Sequence, residues 1–404
     1  MSTRKRAQPK FLAVDFFCGA GGTTRGLIQA GGLVLAGLDN DLRCKKTYIA
    51  NNKNRGGDGR RPQFLNYDLF PKTKAYPAGE QNVALEVLHT IIVKAKKDYP
   101  RTPLFFSICA PCQPFARLSK QEVTRLRLEK HVRDRSLLLQ CLIFVESFLP
   151  DFVFCENVAG ITSSEYGNVW TIFEKRLGKL GYKTAADVVD AVDFGVPQYR
   201  KRSIMLAIRK RKKHANSFSI PKVGAFTVPL KNSSARRRSV KDAIGDLPPL
   251  LPGERHSQIP NHNVRDLSPL NRRRLNSAKP GQTNVYMTDT RYGDLSLKCH
   301  QKVNERLQQR CFNDVYTRMH PDRPSPTITT RCLSVSNGRF GHFDVKQIRG
   351  ISMREAALLQ SFPRNYIFFP PGQLEPAARM IGNAVPPRLA RFFARYLLSF
   401  ITST

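Results

Sequence analysis

Short apolar runs alternate with amphipathic segments over roughly the first half of the chain. The runs that predict strands are Phe11–Phe17, Leu33–Leu38, Phe64–Leu69, Leu104–Ile108, Phe152–Cys155, Val188–Val192 and Ile204–Ile208. Helical periodicity lies between them, in Val83–Lys97, Ser136–Phe148 and Trp170–Leu180. Fully apolar strands that alternate with helices are typical of a parallel sheet covered on both faces. The pattern predicts an α/β fold with a doubly wound, mostly parallel sheet.

The composition changes after Phe194. No Asp or Glu occurs between Phe194 and Lys241, whereas Arg209–Lys213 and Arg236–Arg238 form basic clusters. Pro, Asn, Ser and Arg dominate as far as about Arg323 without strong periodicity, which predicts a second, smaller and loop-rich domain. Helical patterns return at Ser352–Leu359 and Pro387–Phe400.

The charge balance indicates a polyanionic partner. The 404 residues include 66 Lys and Arg against 31 Asp and Glu, a formal net charge of +35. A domain this basic usually binds nucleic acid, and we expect the two basic clusters to contact phosphates. The 41% hydrophobic content excludes wholesale disorder. No apolar run approaches the roughly 20 residues that span a bilayer, and residues 1–10 are a basic tail rather than a secretory signal, so no membrane partner is expected.

The cysteines predict a reducing compartment. There are nine, an odd number, in a chain too long to need disulfides for stability. Cys109 and Cys112 form a CxxC pair, but no second pair stands at zinc-ligand spacing, and a thioredoxin-like redox role fits little better. We therefore expect free thiols, no bound metal and a cytoplasmic location.

A glycine-rich turn follows the first predicted strand. Phe17 and the glycines Gly19, Gly21 and Gly22 stand where a strand passes into a helix, which lets a ligand approach the backbone closely. Asp39, twenty residues later, could hold ribose hydroxyls. The segment resembles a dinucleotide fingerprint whose third glycine is replaced by Thr24, and the alternative is a simple tight turn.

Two further acidic residues lie at the ends of predicted strands. Asp68 could contact an adenine amino group, although alone it is more typical of a helix cap. Glu156 follows an apolar strand, where a carboxyl group is poorly solvated and suited to general acid chemistry. The alternative for Glu156 is a helix cap or an ion pair.

The carboxyl end of the Leu104–Ile108 strand carries a candidate nucleophile. Open α/β sheets place their sites at such ends. Pro111 stiffens the loop, and the thiol of Cys112 can ionise there and attack a substrate. The alternative is a buried structural cysteine. Further along, Arg200 and Arg202 alternate in an extended segment and should therefore point together, unless they form a solvated basic edge strand.

These segments, in this order, resemble the cytosine-C5 DNA methyltransferase family of bacterial restriction-modification systems. The resemblance extends over nearly the whole chain. It rests on Phe17, Gly19, Gly21 and Gly22, on Asp39 and Asp68, on Pro111-Cys112-Gln113, on Glu156-Asn157-Val158, on Gln198, Arg200 and Arg202, on Arg323–Thr330, on Arg354–Pro363 and on Gly382–Pro387 with Asn383. Asn40 and Ala116 depart from the family pattern, at an aromatic and a serine position respectively.

The resemblance implies an enzyme, its cofactor and a division of labour among these residues. It implies a Rossmann-like fold that binds S-adenosylmethionine through the glycine loop, Asp39, Asp68, Pro111 and Asn383. Cys112 would add to C6 of a flipped-out cytosine, Glu156 would act at N3 and Arg202 at O2, with Gln198 and Arg200 beside them.

The resemblance also implies a domain plan and partners. Residues 11–209 with 381–404 would form the cofactor-binding and catalytic domain, 210–348 the target-recognition domain and 349–380 a connecting hinge. Duplex DNA would be the substrate, in the bacterial cytosol or at the nucleoid, and a cognate restriction endonuclease could act separately. Two alternatives stay open: the same chemistry on RNA, and a catalytically silent DNA-binding relative.

Overall fold

A seven-stranded sheet organises the first half of the chain. The structure is a computed structural model that describes residues 8–55, 59–111, 136–163, 168–210, 226–307 and 313–401. The strands are β1 (Phe11–Phe16), β2 (Gly32–Leu38), β3 (Gln63–Leu65), β4 (Leu104–Ile108), β5 (Phe152–Val158), β6 (Tyr182–Asp190) and β7 (Lys201–Arg209). Their order in the sheet is β3-β2-β1-β4-β5-β7-β6.

The first five strands are parallel, which confirms the predicted fold class. Every residue of β1 and β4 is buried, as expected for strands covered by helices on both faces. The surrounding helices are α1 (Gly22–Gln29), α2 (Lys45–Asn51), α3 (Gln81–Asp98), α4 (Leu137–Gln140), α5 (Leu142–Phe148) and α6 (Val169–Lys179). The order of the strands reverses between β1 and β4, and open sheets bind ligands at such a point.

The last two strands of the sheet run against the others. β7 pairs antiparallel with both β5 and β6. The start of β7 therefore lies beside the carboxyl end of β5, with Arg202 opposite Val158 and Ile204 opposite Glu156. Because side chains alternate along a strand, Glu156 and Arg202 lie on the same face of the sheet.

Several predicted element boundaries were wrong, and three of them have an identifiable cause. The helix predicted over Ser136–Phe148 is two helices, because the chain tightens at Cys141, whose N–H donates to the carbonyl of Leu138. The third strand stops at Leu65, where the chain turns and the Asn66 amide donates to the Asp39 carbonyl. The strand predicted over Val188–Val192 begins earlier, because β6 pairs with β7 over nine positions.

The chain forms two compact units, and the predicted domain plan stays a prediction. The sheet unit comprises Met1–Phe194, Lys201–Ser234 and Val385–Thr404, and the loop unit comprises Gly195–Arg200 and Ala235–Ala384. The predicted hinge, 349–380, thus lies inside the loop unit. The helices of the loop unit are α7 (Val240–Ile244), α8 (Pro269–Ser277), α9 (Lys298–Leu307), α10 (Met353–Leu359) and α11 (Leu374–Asn383), whereas α12 (Pro387–Leu398) belongs to the sheet unit.

The loop unit holds its irregular chain together with buried polar side chains. The Arg318 guanidinium is fully buried and donates to the carbonyls of Leu275, His342, Asp344 and Gln347 at 2.8–3.1 Å. Arg349 and Glu355 form a buried salt bridge with an Nη2–Oε1 distance of 2.8 Å. The Arg318 N–H groups thus bond to carbonyls that, in a regular sheet, would accept hydrogen bonds from a neighbouring strand.

Candidate active site at the carboxyl edge of the sheet

The glycine loop turns sharply between β1 and α1. Phe17, Gly19 and Gly21 have positive φ angles of 59°, 49° and 90°. An ideal Cβ built on Gly19 would have no heavy atom within 4 Å, so the loop faces open space there. This backbone is a cradle into which a ligand can come close, as a nucleotide-like cofactor requires.

Asp39 ties this loop to the end of β2. Its Oδ2 accepts from the Gly19 N–H at 2.8 Å, and its Oδ1 accepts from the Asp41 N–H at 2.8 Å. Burial raises the pKa of Asp39, and the two backbone donors act in the opposite direction. Each carboxylate oxygen can accept a second hydrogen bond, so Asp39 can receive ribose hydroxyls while it fixes the loop.

Asp68 stands in the turn after β3. Its Oδ1 accepts from the Phe70 N–H at 3.1 Å, and its own N–H donates to Glu80. Asp68 is therefore not a helix cap, since α3 begins at Gln81. Its carboxylate is half-buried and holds a turn near the same edge of the sheet as Asp39.

A buried polar cluster behind the loop was not predicted. Asp15 in β1 is fully buried, and the Thr24 hydroxyl donates to its Oδ2 at 2.6 Å. Burial raises the pKa of Asp15 to about 7, although the Thr24 and Ser107 hydroxyls lower it. Thr24 also contacts the Tyr48 hydroxyl at 3.1 Å. The threonine that replaces the third glycine of the fingerprint thus links α1 to β1 and α2. The available signal was an acidic residue inside an otherwise apolar strand.

The nucleophile loop begins directly after β4. Cys112 and Ala116 lie outside the described residues, but Pro111 and Ala110 lie within them. The Asn157 amide donates to the Ala110 carbonyl at 3.1 Å and so fixes the start of the loop. Asn157 was noticed in the sequence only as a neighbour of Glu156.

Cys109, the described member of the CxxC pair, has a thiol that resists ionisation. Burial raises its pKa, and the charges of Glu156 and Asp15 raise it further. Within the described residues, no group of three or more His, Cys, Asp or Glu side chains could hold a metal ion. The cysteines of those residues are free thiols.

Glu156 and Arg202 form a charged contact that is largely shielded from solvent. The Arg202 Nε lies 3.0 Å from the Glu156 Oε1, and their side chains are only 10% and 9% exposed. The alternative interpretation of Glu156 as a partner in an ion pair is therefore realised. The pairing places a buried guanidinium beside one oxygen of the carboxyl group as an ion pair, not as a hydrogen bond.

Gln198 and Arg200 have different partners from Arg202. Both belong to the loop unit, where Arg200 donates to the carbonyls of Ile328, Gly382 and Ala384 at 3.0–3.3 Å. The expectation that Arg200 and Arg202 point together stays a prediction, since the contacts of the two side chains lie in different units. Arg200 precedes β7, so the simple alternation of a strand does not extend to it.

Asn383 is exposed at the end of α11, and the carbonyls next to it are held by Arg200 and by Gln360. Gln360 was not singled out from the sequence as a functional residue. Its place in the Arg354–Pro363 segment, directly after α10, was the signal that could have indicated it.

One basic cluster is partly occupied within the protein. Arg236 pairs with the Asp242 carboxylate at 3.0 Å, and Arg238 donates to the Asp242 carbonyl at 2.9 Å. Arg237 is exposed. Of the other cluster, only Arg209 and Lys210 lie within the described residues. The expectation that these clusters contact phosphates stays a prediction.

Comparison with known proteins identifies the class of enzyme. A family model described as C-5 cytosine-specific DNA methylase matches residues 11–70 and 78–399. The chain belongs to this family, and it is a DNA cytosine-5 methyltransferase. The predicted family and reaction are thereby confirmed.

Individual relatives extend over almost the whole chain. The chain is 33% identical over 390 residues to the Type II methylase M.HgiDII of Herpetosiphon aurantiacus, covering 96% of this chain and 95% of the relative. It is 27% identical to the Type II methyltransferase M1.HphI of Haemophilus parahaemolyticus, covering 96% and 87%.

Solved structures agree on the fold. A protein encoded within an E. coli prophage matches with a TM-score of 0.61 at 20% identity, covering 96% of this chain and 99% of that one. The Dnmt2 methyltransferase of S. pombe matches with a TM-score of 0.52 at 15% identity, covering 96% and 98%. Within the described residues, no helix is both long and apolar enough to cross a membrane.

Proposed function

We propose that the protein transfers the methyl group of S-adenosylmethionine to C5 of a cytosine that is flipped out of duplex DNA. The observation that carries this proposal is the juxtaposition, at one edge of the sheet, of the glycine cradle, the start of the Pro111-Cys112 loop and the Glu156–Arg202 pair. The family of the chain supports the same chemistry.

The cradle fits S-adenosylmethionine. Gly19 leaves room for a close approach of the ligand to the backbone, and Asp39 offers carboxylate oxygens for ribose hydroxyls. Asp68 would accept from the adenine amino group, and Phe17, Gly21, Gly22, Pro111 and Asn383 complete the proposed binding residues. When bound, the cofactor supplies an electrophilic methyl group on a sulfonium.

The remaining groups activate the cytosine. Cytosine C5 is a weak nucleophile, so the Cys112 thiolate adds to C6 and makes C5 enamine-like. The electron pair displaced by this addition moves toward N3 and O2. Glu156 donates a proton or hydrogen bond at N3, and the Arg202 guanidinium stabilises the charge on O2. After methylation, loss of the C5 proton restores the double bond and expels the Cys112 thiolate.

Gln198 and Arg200, which were predicted as catalytic, have a positioning role in this proposal. Their side chains are bonded to backbone groups of the loop unit rather than directed at a free surface. The enzyme would act on DNA in the bacterial cytosol, at the nucleoid. It would protect a recognition sequence from a separate cognate restriction endonuclease, as its Type II relatives suggest.

The test measures transfer of a labelled methyl group to duplex DNA and to RNA by the wild-type protein, Cys112→Ala and Glu156→Gln. Cys112→Ala should abolish transfer. Glu156→Gln keeps the size of the side chain but removes its titrating proton, so turnover should fall roughly 10²–10⁴-fold while cofactor affinity is retained. Glu146→Gln, in an exposed ion pair with Arg176, is the matched control and should leave turnover unchanged.

The alternatives give different outcomes in the same assay. Transfer to RNA but not to duplex DNA would support the hypothesis that the substrate is RNA. DNA binding without any transfer would support the hypothesis of a catalytically silent DNA-binding protein. Normal turnover by Glu156→Gln would leave Glu156 with a structural role only.

A further inference from the structure

The carboxyl end of α11, which carries Asn383, is held by side chains. The last carbonyls of a helix have no partner within it. Here Gln360 Nε2 donates to the carbonyls of Ile381 at 3.0 Å and Ala384 at 2.8 Å. Arg200 Nη2 donates to the carbonyls of Gly382 at 3.1 Å and Ala384 at 3.3 Å. The carbonyls of the residues on both sides of Asn383 are therefore held by buried donors.

The same turn is pressed against a second backbone segment. A Cβ on Gly382 would lie 2.3 Å from the Thr329 carbonyl carbon and 2.3 Å from the Thr330 nitrogen, so only glycine fits. One residue earlier, the Ile328 N–H donates to Gln198 Oε1 at 3.1 Å, and the Ile328 carbonyl accepts from Arg200 Nη1 at 3.0 Å. Backbone and side chains thus lock the turn from two directions.

Gln198 determines which way the Gln360 amide faces. Gln198 Nε2 donates to Gln360 Oε1 and to the Leu359 carbonyl, so the oxygen of Gln360 is already engaged. The Gln360 nitrogen must then face α11, because only a nitrogen can donate to two carbonyls. Gln360 is fully buried and directly follows α10, so its own position is well determined.

We propose that Gln360 is a positioning residue for Asn383. By holding the carbonyls of Ile381 and Ala384, it fixes the direction in which the exposed Asn383 side chain leaves the turn. A group pre-organised in this way binds its ligand without a further ordering cost. The inference rests on the proposed role of Asn383 in binding S-adenosylmethionine.

The test measures binding of S-adenosylmethionine to the full chain by calorimetry. Gln360→Met keeps the approximate volume but removes a donor from two carbonyls, which keep only the Ala384 N–H and Arg200 Nη2, and affinity should fall about tenfold. Asn383→Ala should weaken binding directly. The double variant should be no weaker than Asn383→Ala alone, because Gln360 acts through Asn383.

Two further variants distinguish a specific effect on the position of Asn383 from a general loss of order in the loop unit. Asn263→Leu removes an amide that donates to the Gly372 carbonyl at 2.9 Å, next to the other end of α11, and should leave affinity within about twofold. Gln360→Glu should bind more tightly at about pH 6 than at about pH 8.5, relative to wild type, because its protonated carboxyl regains a donor. This pH dependence carries the test if Gln360→Met does not fold.

The outcomes distinguish the inference from the proposed function. Normal affinity in Gln360→Met, with weak binding in Asn383→Ala, overturns the role of Gln360 and leaves Asn383 in the site. Losses that add in the double variant, or an equal loss in Asn263→Leu, also overturn it. Normal affinity in Asn383→Ala removes Asn383 from the cofactor site, and with it the proposed function loses that residue.

Discussion

The two compact units satisfy their backbone hydrogen bonds in different ways. In the sheet unit, strands β1 to β7 pair with one another, and side chains are free to pack a core or to line the carboxyl edge. In the loop unit, the side chains of Arg318, Gln198 and Gln360 donate to backbone carbonyls at or near the ends of helices. In an irregular fold, a few long polar side chains therefore supply hydrogen bonds that paired strands supply in a sheet.

Replacement of Arg318 should have the largest effect on stability. Its guanidinium serves four carbonyls at 2.8–3.1 Å, and burial lowers its pKa to about 10. Arg318→Met removes a donor from all four carbonyls, of which Leu275 keeps the Ala278 N–H and Asp344 the Gln347 N–H, so the free energy of unfolding should fall by roughly 4 kcal/mol. Urea denaturation measures it.

The matched control for that experiment is Arg272→Met. Arg272 is exposed and pairs with the exposed Asp266, so its replacement should change the free energy of unfolding by less than about 0.5 kcal/mol. Equal losses in the two variants would contradict the special place given to Arg318.

The units should also differ in the sign of their pH dependence. Burial raises the pKa of Asp15 to about 7, so the native sheet unit binds a proton that the unfolded chain has lost, and its stability falls as pH rises from about 4 to 7. Burial lowers the pKa of His342 to about 4, so the loop unit loses stability as pH falls from about 6.5 to 4.

Single substitutions should expose each slope in turn. Asp15→Asn should remove the loss of stability that β1 shows as pH rises. His342→Asn should remove the loss of stability that α10 shows as pH falls. Each slope can reach roughly 1.4 kcal/mol per pH unit. Hydrogen exchange of peptides from β1 and from α10, measured across the pH series, reports the two units separately. The same change in both peptides would contradict an assignment of the groups to separate units.

At one edge of the sheet unit, a polar side chain also supplies backbone hydrogen bonds, as in the loop unit, and its replacement should have a smaller effect. β3 pairs with β2 only from Ala36 onward, and the Asn54 side chain serves Val34 in its place, bonding its N–H and carbonyl at 2.9 Å each. Asn54→Ala should therefore cost about 2 kcal/mol, between the effects of Arg318→Met and Arg272→Met. A loss as large as that of Arg318→Met would contradict the difference between the units. It would mean that the sheet unit also depends on single polar side chains for its backbone hydrogen bonds.

The pattern of apolar residues predicted the strands of the sheet unit well. A strand that is buried on both faces needs apolar residues at consecutive positions, and this requirement is visible in the local sequence. The positions of the glycine loop, Asp39 and Glu156 followed, since parallel strands bring their carboxyl ends to one edge. The third strand was placed too long, because its end depends on the Asn66 amide and the Asp39 carbonyl, which are distant in sequence.

The sequence by itself determined the α/β class, the order of the motifs and the residue types at the candidate site, because these depend on local patterns and on side-chain chemistry. Only the tertiary structure decided that β7 runs antiparallel and so brings Arg202 to Glu156. It alone separated Arg200 from Arg202 and joined Gln198, Gln360 and the end of α11. Such contacts form between segments up to 184 residues apart, and a hydrogen bond depends on where its two groups meet in space, which no local pattern specifies.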